Sequence, residues 1–142
     1  ILVHNVDVLT ALPLRSLYRA HVRSSALATL AVQARTTKRY LVFDGRGNLC
    51  GRAGSEGGEA ELVRVPLGRL RYLAFNGIQV ISPALFTGHA EERFSSVDLY
   101  LAAARENRVR GWRMDDWYWR DLGKPADLEA AEEEIAAGVI RI

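Results

Sequence analysis

The apolar residues of this chain fall into short runs at two different spacings. Residues 1–3 form a continuous apolar run, which is typical of a strand covered on both faces, as in a parallel sheet. In residues 13–24 the apolar side chains recur at helical spacing, and Pro13 is compatible with the first turn of a helix. The pattern therefore predicts a strand followed by a helix at the start of the chain.

The middle of the chain has the pattern of strands joined by tight connections. Residues 39–52 contain two apolar runs separated by Asp-Gly and Gly-Asn pairs, which together predict a hairpin. A polar, glycine-rich loop follows at residues 53–61. Pro83 ends a long apolar run, and a short helical turn is expected just after it. Further strands are expected at 26–34, 61–65 and 71–82.

Helical spacing returns in the last third of the chain. Residues 97–107 predict a helix, and Ser95 and Asp98 resemble a capping box in which Asp replaces the usual Glu or Gln. A last helix is expected to begin near Pro125 and to end at Gly138, since glycine is the favoured residue type at a helix C-cap.

One more strand is expected between these two helices. It covers residues 108–114, and residues 118–123 form its end or a following turn. Strands thus alternate with helices at both ends of the chain, and hairpin signals fill the middle. This order predicts an α/β fold with a mixed sheet.

The composition is that of one globular domain. The chain has 142 residues, which is long enough for a core of its own. The net charge is only +2 and the arginines are scattered, so a nucleic acid is not an expected partner. No apolar run approaches the ~20 residues of a membrane helix, and no membrane association is expected. The single cysteine, Cys50, can form neither an internal disulfide nor a structural zinc site, which fits a reducing, cytoplasmic location.

The start of the chain is unusual for a domain. The first residue is Ile rather than Met, and the apolar run begins at once. A basic segment and a small-residue cleavage site, which would mark a signal peptide, are both lacking. We therefore expect that a preceding segment is absent, through truncation, through processing or because it belongs to a separate polypeptide.

Two aspartates occupy positions suited to ligand binding. Asp7 follows the first strand and precedes a helix, and Asp121 follows three aromatic residues and precedes the last helix. Ligands of open α/β sheets collect at the carboxyl ends of strands. Two carboxylates that converge there would suit Mg²⁺, which takes one or two protein carboxylates and completes its shell with water and phosphate oxygens. The alternative is that each aspartate only caps the next helix or turn, and spacing alone favours this alternative.

Four segments, taken in order, resemble a known family. They are HNVDVLT with the helix and strand that follow it, FNGIQVISPALF, FSSVDLYL and YWRDLGKPADLEAAE. Together they resemble the C-terminal two-thirds of sugar-1-phosphate nucleotidyltransferases, over nearly all of residues 1–142. The most similar branch is that of the short bacterial enzymes related to mannose-1-phosphate guanylyltransferase and N-acetylmuramate-1-phosphate uridylyltransferase.

The resemblance implies a fold and a place in it for this chain. The fold would be a mixed, mainly parallel, Rossmann-like sheet with helices on both faces. Residues 1–142 would form the C-terminal part of the single domain, which binds the sugar phosphate and the metal, and the N-terminal nucleotide-binding portion would be lacking.

The resemblance also implies roles for four residues. Asp7 and Asp121 match the aspartates that bind the catalytic Mg²⁺, and Asn76 and Gly77 match residues that contact the sugar hydroxyls. An Asn-Gly pair is alternatively a simple turn or bulge, although the apolar strand around it argues against a turn. In the implied reaction an oxygen of a sugar 1-phosphate attacks the α-phosphorus of a nucleoside triphosphate, and pyrophosphate leaves. The metal and nearby cations neutralise the developing charge.

The chain also departs from the family. The glycine-rich loop that cradles the triphosphate precedes the first strand in the family and is missing here, as are the residues that read the base. The usual Glu-Lys-Pro is replaced by residues 48–54, NLCGRAG. We therefore expect that the chain does not turn over alone and that it associates with a missing N-terminal half or with a second copy. A second hypothesis is a non-catalytic sugar-phosphate-binding or regulatory subunit, but the paired aspartates favour the enzyme.

The other candidate residues have simpler structural explanations. Arg52 or Lys124 could supply a cation to the phosphate, although each is more simply a solvated side chain. His4 and His21 suit packing or hydrogen bonding better than catalysis. Three tryptophans could form a wall for a sugar, but core packing or a subunit contact is the simpler role. They are Trp112, Trp117 and Trp119.

Overall fold

The computed structural model of the protein describes residues 1–4, 8–86, 96–122 and 125–138. The strands in chain order are β1 (Leu2–His4), β2 (Val8–Thr10), β3 (Ala28–Gln33), β4 (Tyr40–Phe43), β5 (Leu49–Ala53), β6 (Glu61–Leu62), β7 (Arg71–Ile81), β8 (Val109–Arg113) and β9 (Trp119–Asp121). The helices are α1 (Leu14–Ser24), α2 (Ser96–Ala104) and α3 (Pro125–Ala136), with a 3-10 turn at Pro83–Phe86. Within the described ranges, no helix has the length and apolar character needed to cross a bilayer.

Strand β7 is the centre of the larger sheet. The strand order of that sheet is β6-β5-β4-β7-β3-β8, and β1 also pairs with β7. Along one edge β7 pairs first with β4, through residues 71–74, and then with β1, through residues 78–80. Along its other edge it pairs with β3 over residues 74–81. Strands β2 and β9 form a separate two-stranded sheet.

The expected α/β class with helices on both faces of the sheet is confirmed. Alternate residues of β3 point to opposite faces, as in any strand. Leu30 and Val32 belong to the same core cluster as Tyr100 of α2, whereas Ala31 belongs to the cluster that contains Leu17 of α1. The sheet therefore separates two layers of core, each covered by a helix.

The strand pairing is less parallel than the expected, mainly parallel sheet. Among the described strands, β3 and β8 are the one parallel pair, and every other pair is antiparallel. The reason lies in the connections, because the short links from β4 to β5 and from β5 to β6 reverse the chain direction. A parallel pair needs a longer connection, and the one from β3 to β8 contains strands β4 to β7 and helix α2.

Strand β1 has a different environment from the one expected. It runs antiparallel to β7, which is its one neighbour among the described strands. Ile1 and Leu2 remain 60% and 40% exposed, so this strand is not covered on both faces. Its direction brings His4 opposite Ile78, one position beyond Gly77.

Two other expected segments were wrong, the first because strands pair across long sequence distances and the second because the strand is shorter than its apolar pattern suggested. Residues 118–123 do not end β8, since Trp119–Asp121 form β9 and pair with β2 near the start of the chain. The expected strand at 61–65 is limited to Glu61–Leu62, and Val65 is largely exposed. The hairpin, the three helices and the C-terminal Gly138, whose φ is 75°, match their predicted places. Ser95 of the expected capping box lies outside the described residues.

A buried aspartate fixes the β4–β5 hairpin. Asp44 is buried, and its carboxylate accepts hydrogen bonds from the backbone N–H groups of Arg46, Asn48 and Leu67. Burial by itself would raise the pKa of this carboxyl, but the backbone donors stabilise the charged form and bring the pKa below its usual value. The bond from Leu67 also ties the hairpin to the loop that leads into β7.

A buried histidine joins α1 to the sheet. The His21 ring is hydrogen-bonded through Nδ1 to Thr29 Oγ1 at 2.8 Å and through Nε2 to Ser82 Oγ at 2.8 Å. Burial of the ring, followed by the positive charge of the chain's amino group, lowers the pKa of His21. The fold therefore favours the neutral ring, and this histidine has the structural role that the sequence suggested.

We expect the protein to lose stability as the pH falls below 6.5, the ordinary pKa of histidine. Since the pKa of His21 is lower in the folded chain, the unfolded chain binds more protons in this range, and the loss is complete once the pH is below the folded pKa. The substitution His21→Gln should reduce the pH dependence of the free energy of unfolding, measured in urea between pH 8 and pH 5. Asn107→Gln, at an exposed residue that does not titrate, is the control and should keep the wild-type slope. An unchanged slope in His21→Gln would contradict this assignment.

Candidate functional site

A cleft of about 920 Å³ opens beside the middle of β7. Three of the four residues predicted for the site, Asn76, Gly77 and Asp121, line this cleft together. The fourth, Asp7, lies outside the described residues. Its successor in the sequence, Val8, lines the same cleft and is paired with Asp121 across the small sheet.

A bulge in β7 carries Asn76 and Gly77. Leu30 of β3 pairs with Gln79 and Val32 pairs with Phe75, so a step of two residues on β3 corresponds to four residues on β7. Gly77 takes a φ of 76°, in the left-handed region that other residues rarely adopt. The Asn-Gly pair therefore forms a bulge inside a strand and not a turn between strands, which is the structural alternative to a sugar contact, and its contact with a sugar stays a prediction.

Arg35, in the loop between β3 and β4, is the centre of a compact polar cluster. Its Nε donates to Asn76 Oδ1 at 3.0 Å and its Nη2 donates to the carbonyl oxygen of Phe75 at 3.1 Å. The guanidinium carbon lies 4.1 Å from the centre of the Trp119 ring, within the range of a cation–π contact. Trp119 Nε1 in turn donates to the carbonyl oxygen of Asn76 at 2.8 Å. These contacts connect the bulge in β7 with β9.

The charges in this cluster influence each other. Burial of the Arg35 guanidinium lowers its pKa, while the negative charge of Asp121 acts in the opposite direction. Arg35 stays a cation at any physiological pH, because arginine has so high an ordinary pKa. The cleft therefore combines a fixed positive charge with the carboxylate of Asp121.

Helix α3 supports the strand that ends in Asp121. Glu134 accepts a hydrogen bond from the hydroxyl of Tyr118 at 2.5 Å and forms an ion pair with Arg120. On its other side β9 pairs with β2, where Leu9 lies opposite Arg120. Asp121 is thus the last residue of a strand that is held from both sides.

The donors at this end of the cleft suit a hard cation, although the metal assignment stays a prediction. Mg²⁺ prefers oxygen donors and needs only one or two protein carboxylates, so Asp121 with a second carboxylate would be sufficient. Within the described ranges, no group of three or more His, Cys, Asp or Glu side chains is arranged to hold a metal. These residues therefore do not form a metal site in which three or more ligands are His, Cys, Asp or Glu side chains.

The opposite part of the cleft has its own ion-pair network. Arg52 of β5 bonds to Glu61 of β6 at 2.9 Å and to Asp98 of α2 at 3.2 Å. All three side chains are largely solvent-exposed, so the network contributes little to stability. Arg52 lines the cleft as an exposed cation that already has two ion-pair partners, and Lys124 lies outside the described residues.

Sequence reasoning missed the cationic loop between β3 and β4. Arg35, Lys38 and Arg39 all line the cleft, and the side chains of Lys38 and Arg39 are exposed. The only signal for them in the sequence was three cations within five residues between two predicted strands. Such a group is usually a solvated loop, and only the packing of the loop against β7 and β9 places it at a site.

The remaining candidates occupy the places that their chemistry suggests. Trp112 packs on the core cluster beneath α1, Trp117 is exposed, and Trp119 belongs to both that cluster and the cleft. Burial raises the pKa of the Cys50 thiol to about 11, so a reactive thiolate is not formed there. His4 is exposed and bonds through Nε2 to the carbonyl oxygen of Val8.

Comparison with known proteins shows similarity at the level of the fold. No protein-family model and no curated protein matches the chain. HddC from Yersinia pseudotuberculosis matches with a TM-score of 0.67 and 14% identity, over 95% of this chain and 55% of that one. A protein from Bacillus anthracis, assigned as a glucose-1-phosphate thymidylyltransferase and solved in complex with sucrose, matches with a TM-score of 0.68 and 15% identity, over 99% of this chain and 55% of that one. The inositol-1-phosphate CTP transferase of T. maritima matches with a TM-score of 0.61 and 16% identity, over 92% of this chain and 52% of that one.

The chain therefore has the nucleotidyltransferase fold, as the sequence resemblance implied. It spans about half the length of these solved structures, which fits the expected C-terminal part. At this level of identity the similarity establishes the fold, and the roles of individual residues stay predictions.

The substitution Gly77→Ala should destabilise the protein by about 1–2 kcal/mol, because an L-residue in the left-handed region brings its Cβ close to a backbone oxygen. Gly54→Ala is the matched control: this exposed glycine also lines the cleft, and its added Cβ would lie 3.9 Å from the carbonyl oxygen of Lys38, an ordinary contact. Urea unfolding of both variants measures the difference. Equal stability of the two would mean that the bulge does not depend on Gly77.

Proposed function

We propose that this chain supplies the sugar-phosphate half of a nucleotidyltransferase that couples a sugar 1-phosphate to a nucleoside triphosphate. The observation that carries the proposal is the grouping of Asn76, Gly77 and Asp121 in one cleft of a nucleotidyltransferase fold. Asp121 is more than forty positions from Asn76 and Gly77 in the sequence, and the family resemblance implied a role for all three. The two named transferases among the solved structures act, by their names, on 1-phosphates of glucose and of inositol.

In this proposal the bulge binds the sugar and the cationic loop binds its phosphate. Asn76 and the backbone of Gly77 offer polar groups at the middle of the cleft, where sugar hydroxyls would bind. Lys38 and Arg39 line the cleft with exposed side chains, and among the described residues neither makes a hydrogen bond or ion pair through its side chain. They are therefore the cations most available to a phosphate, whereas Arg35 and Arg52 already have partners.

Asp121, together with Asp7, would hold a magnesium ion at the end of the cleft formed by β9. The ion, when bound, would neutralise the charge that develops on the triphosphate. The remaining demand on the protein is positioning, because the attacking phosphate oxygen is already an anion and needs no strong general base. A new P–O bond forms to the α-phosphorus as the bond to pyrophosphate breaks.

The test of this function is magnesium-dependent release of pyrophosphate. It is measured over a set of sugar 1-phosphates and nucleoside triphosphates, on the 142-residue chain and, if that chain is part of a longer polypeptide, on that polypeptide as well. We expect sugar-phosphate binding by the chain and turnover only where a triphosphate site is also present. Binding without turnover in every form would favour the alternative, a non-catalytic sugar-phosphate-binding subunit.

Asp121→Asn should lower kcat/KM of the active form by about 100-fold or more, since it removes a negative ligand from the proposed metal while keeping the shape of the side chain. The affinity for the sugar 1-phosphate should change much less. Asp116→Asn, at an exposed aspartate that does not line the cleft, is the control. Retention of full magnesium-dependent activity by Asp121→Asn would show that the metal role is wrong.

A further inference from the structure

Within the part of the chain that the structure describes, the side-chain amide of Asn76 is hydrogen-bonded at its oxygen but not at its nitrogen. The residue is 1% exposed, and its Oδ1 accepts the hydrogen bond from Arg35 Nε. Its Nδ2 is equally buried and has no hydrogen-bond partner among the described residues. Buried polar atoms without a partner are uncommon in folded proteins, and one that lines a cleft points to a group that binds there.

The direction of this amide is determined by Arg35. A guanidinium has only donors, so the atom that faces Arg35 Nε must be the acceptor Oδ1. A flipped amide would place the N–H donors of Nδ2 against the N–H donor of Arg35. Nδ2 is therefore the end of the amide that is left for a ligand.

Arg35 is itself held in place from two sides. Its Nη2 bonds to the carbonyl oxygen of Phe75, and its guanidinium lies over the ring of Trp119. Trp119 closes the ring of contacts by donating to the backbone oxygen of Asn76. A lysine at position 35 could keep the charge but could not make the planar, forked set of contacts.

We propose that Arg35 is a specificity-determining positioning residue, which makes Asn76 act as a hydrogen-bond donor only. This inference rests on the proposed function, and it adds a property of the ligand: the group that binds at Asn76 must be an acceptor, such as a hydroxyl or carbonyl oxygen of the sugar. Nδ2 is covered in the chain without ligand, so a small movement of the cleft wall accompanies this contact.

Three variants separate this role from a purely structural one. Asn76→Asp keeps an acceptor for Arg35 Nε but replaces the donor with a second acceptor, so the fold should persist while ligand binding weakens. Arg35→Lys leaves Asn76 intact but frees its amide to turn. Asn107→Asp makes the same change of charge at an exposed residue that does not line the cleft, and is the matched control.

The probes are the 1-phosphates of glucose, mannose and inositol, and the deoxy and deoxyfluoro derivatives of whichever one binds, titrated into the 142-residue chain by calorimetry. We expect Asn76→Asp to weaken binding at least tenfold with the melting temperature retained.

At one hydroxyl position the deoxyfluoro derivative, which keeps an acceptor, should bind more tightly than the deoxy derivative. Arg35→Lys should reduce that difference. Wild-type affinity in Asn76→Asp, or an unchanged preference in Arg35→Lys, would overturn the inference.

A measurement without ligand separates failure of this inference from failure of the proposed function. The Arg35 Nε–H proton, observed by nuclear magnetic resonance, should exchange slowly with solvent in the wild type and in Asn76→Asp, and quickly in Asn76→Ala. Fast exchange in the wild type would overturn the orientation of the amide whatever the ligand. Slow exchange combined with no binding of any of the three 1-phosphates would instead count against the proposed function, and would remove the ligand part of the inference with it.

Discussion

The backbone pairing of strand β7 is the constraint on which both the sheet and the cleft depend. Its eleven residues bond to β4 and β1 along one edge and to β3 along the other. The edge facing β3 contains the bulge, where β7 has two residues more than its partner. The left-handed conformation of Gly77 allows this local excess without breaking the strand. The cleft lies where the ladder is interrupted, and the polar groups of the bulge are available there.

The cluster around Arg35 explains how a half-buried cation is tolerated at this position. Burial of a guanidinium is unfavourable unless its donors are paired, and here the donors reach a side-chain oxygen, a backbone oxygen and an aromatic face. The same contacts connect three parts of the chain: the β3–β4 loop, the bulge and β9. A group of residues that stabilises the local structure thus also determines which polar atoms the cleft presents.

The similarity to solved nucleotidyltransferases at 14% to 16% identity shows that this fold is compatible with very different sequences. The two core clusters on either side of the sheet need only apolar residues of suitable size, so they tolerate wide sequence change. The proposed binding of a sugar phosphate in the cleft would, in contrast, need particular donors and charges. In this chain the expected Glu-Lys-Pro segment is replaced, and Arg52 at that place is paired with Glu61 and Asp98. Cations of the β3–β4 loop line the cleft as well.

The sequence by itself determined the local elements and the identity of several cleft residues. Helical spacing located α1, α2 and α3, and turn residues located the β4–β5 hairpin, because these features depend on interactions between residues close in the chain. The order of four motifs pointed to Asn76, Gly77 and Asp121, which line one cleft, while their roles stay predictions.

Only the tertiary structure decided how the strands pair and which cations belong to the cleft. The pairing of β2 with β9 joins residues more than a hundred positions apart, and no local pattern records it. The mainly antiparallel sheet and the exposed face of β1 likewise follow from the choice of strand partners. Arg35 resembles any other loop arginine in the sequence, and it is distinguished only by Asn76, Phe75 and Trp119, which come into contact with it when β7 and β9 are brought together. The physical reason is the same in each case: these interactions depend on distance in space, and the sequence specifies only distance along the chain.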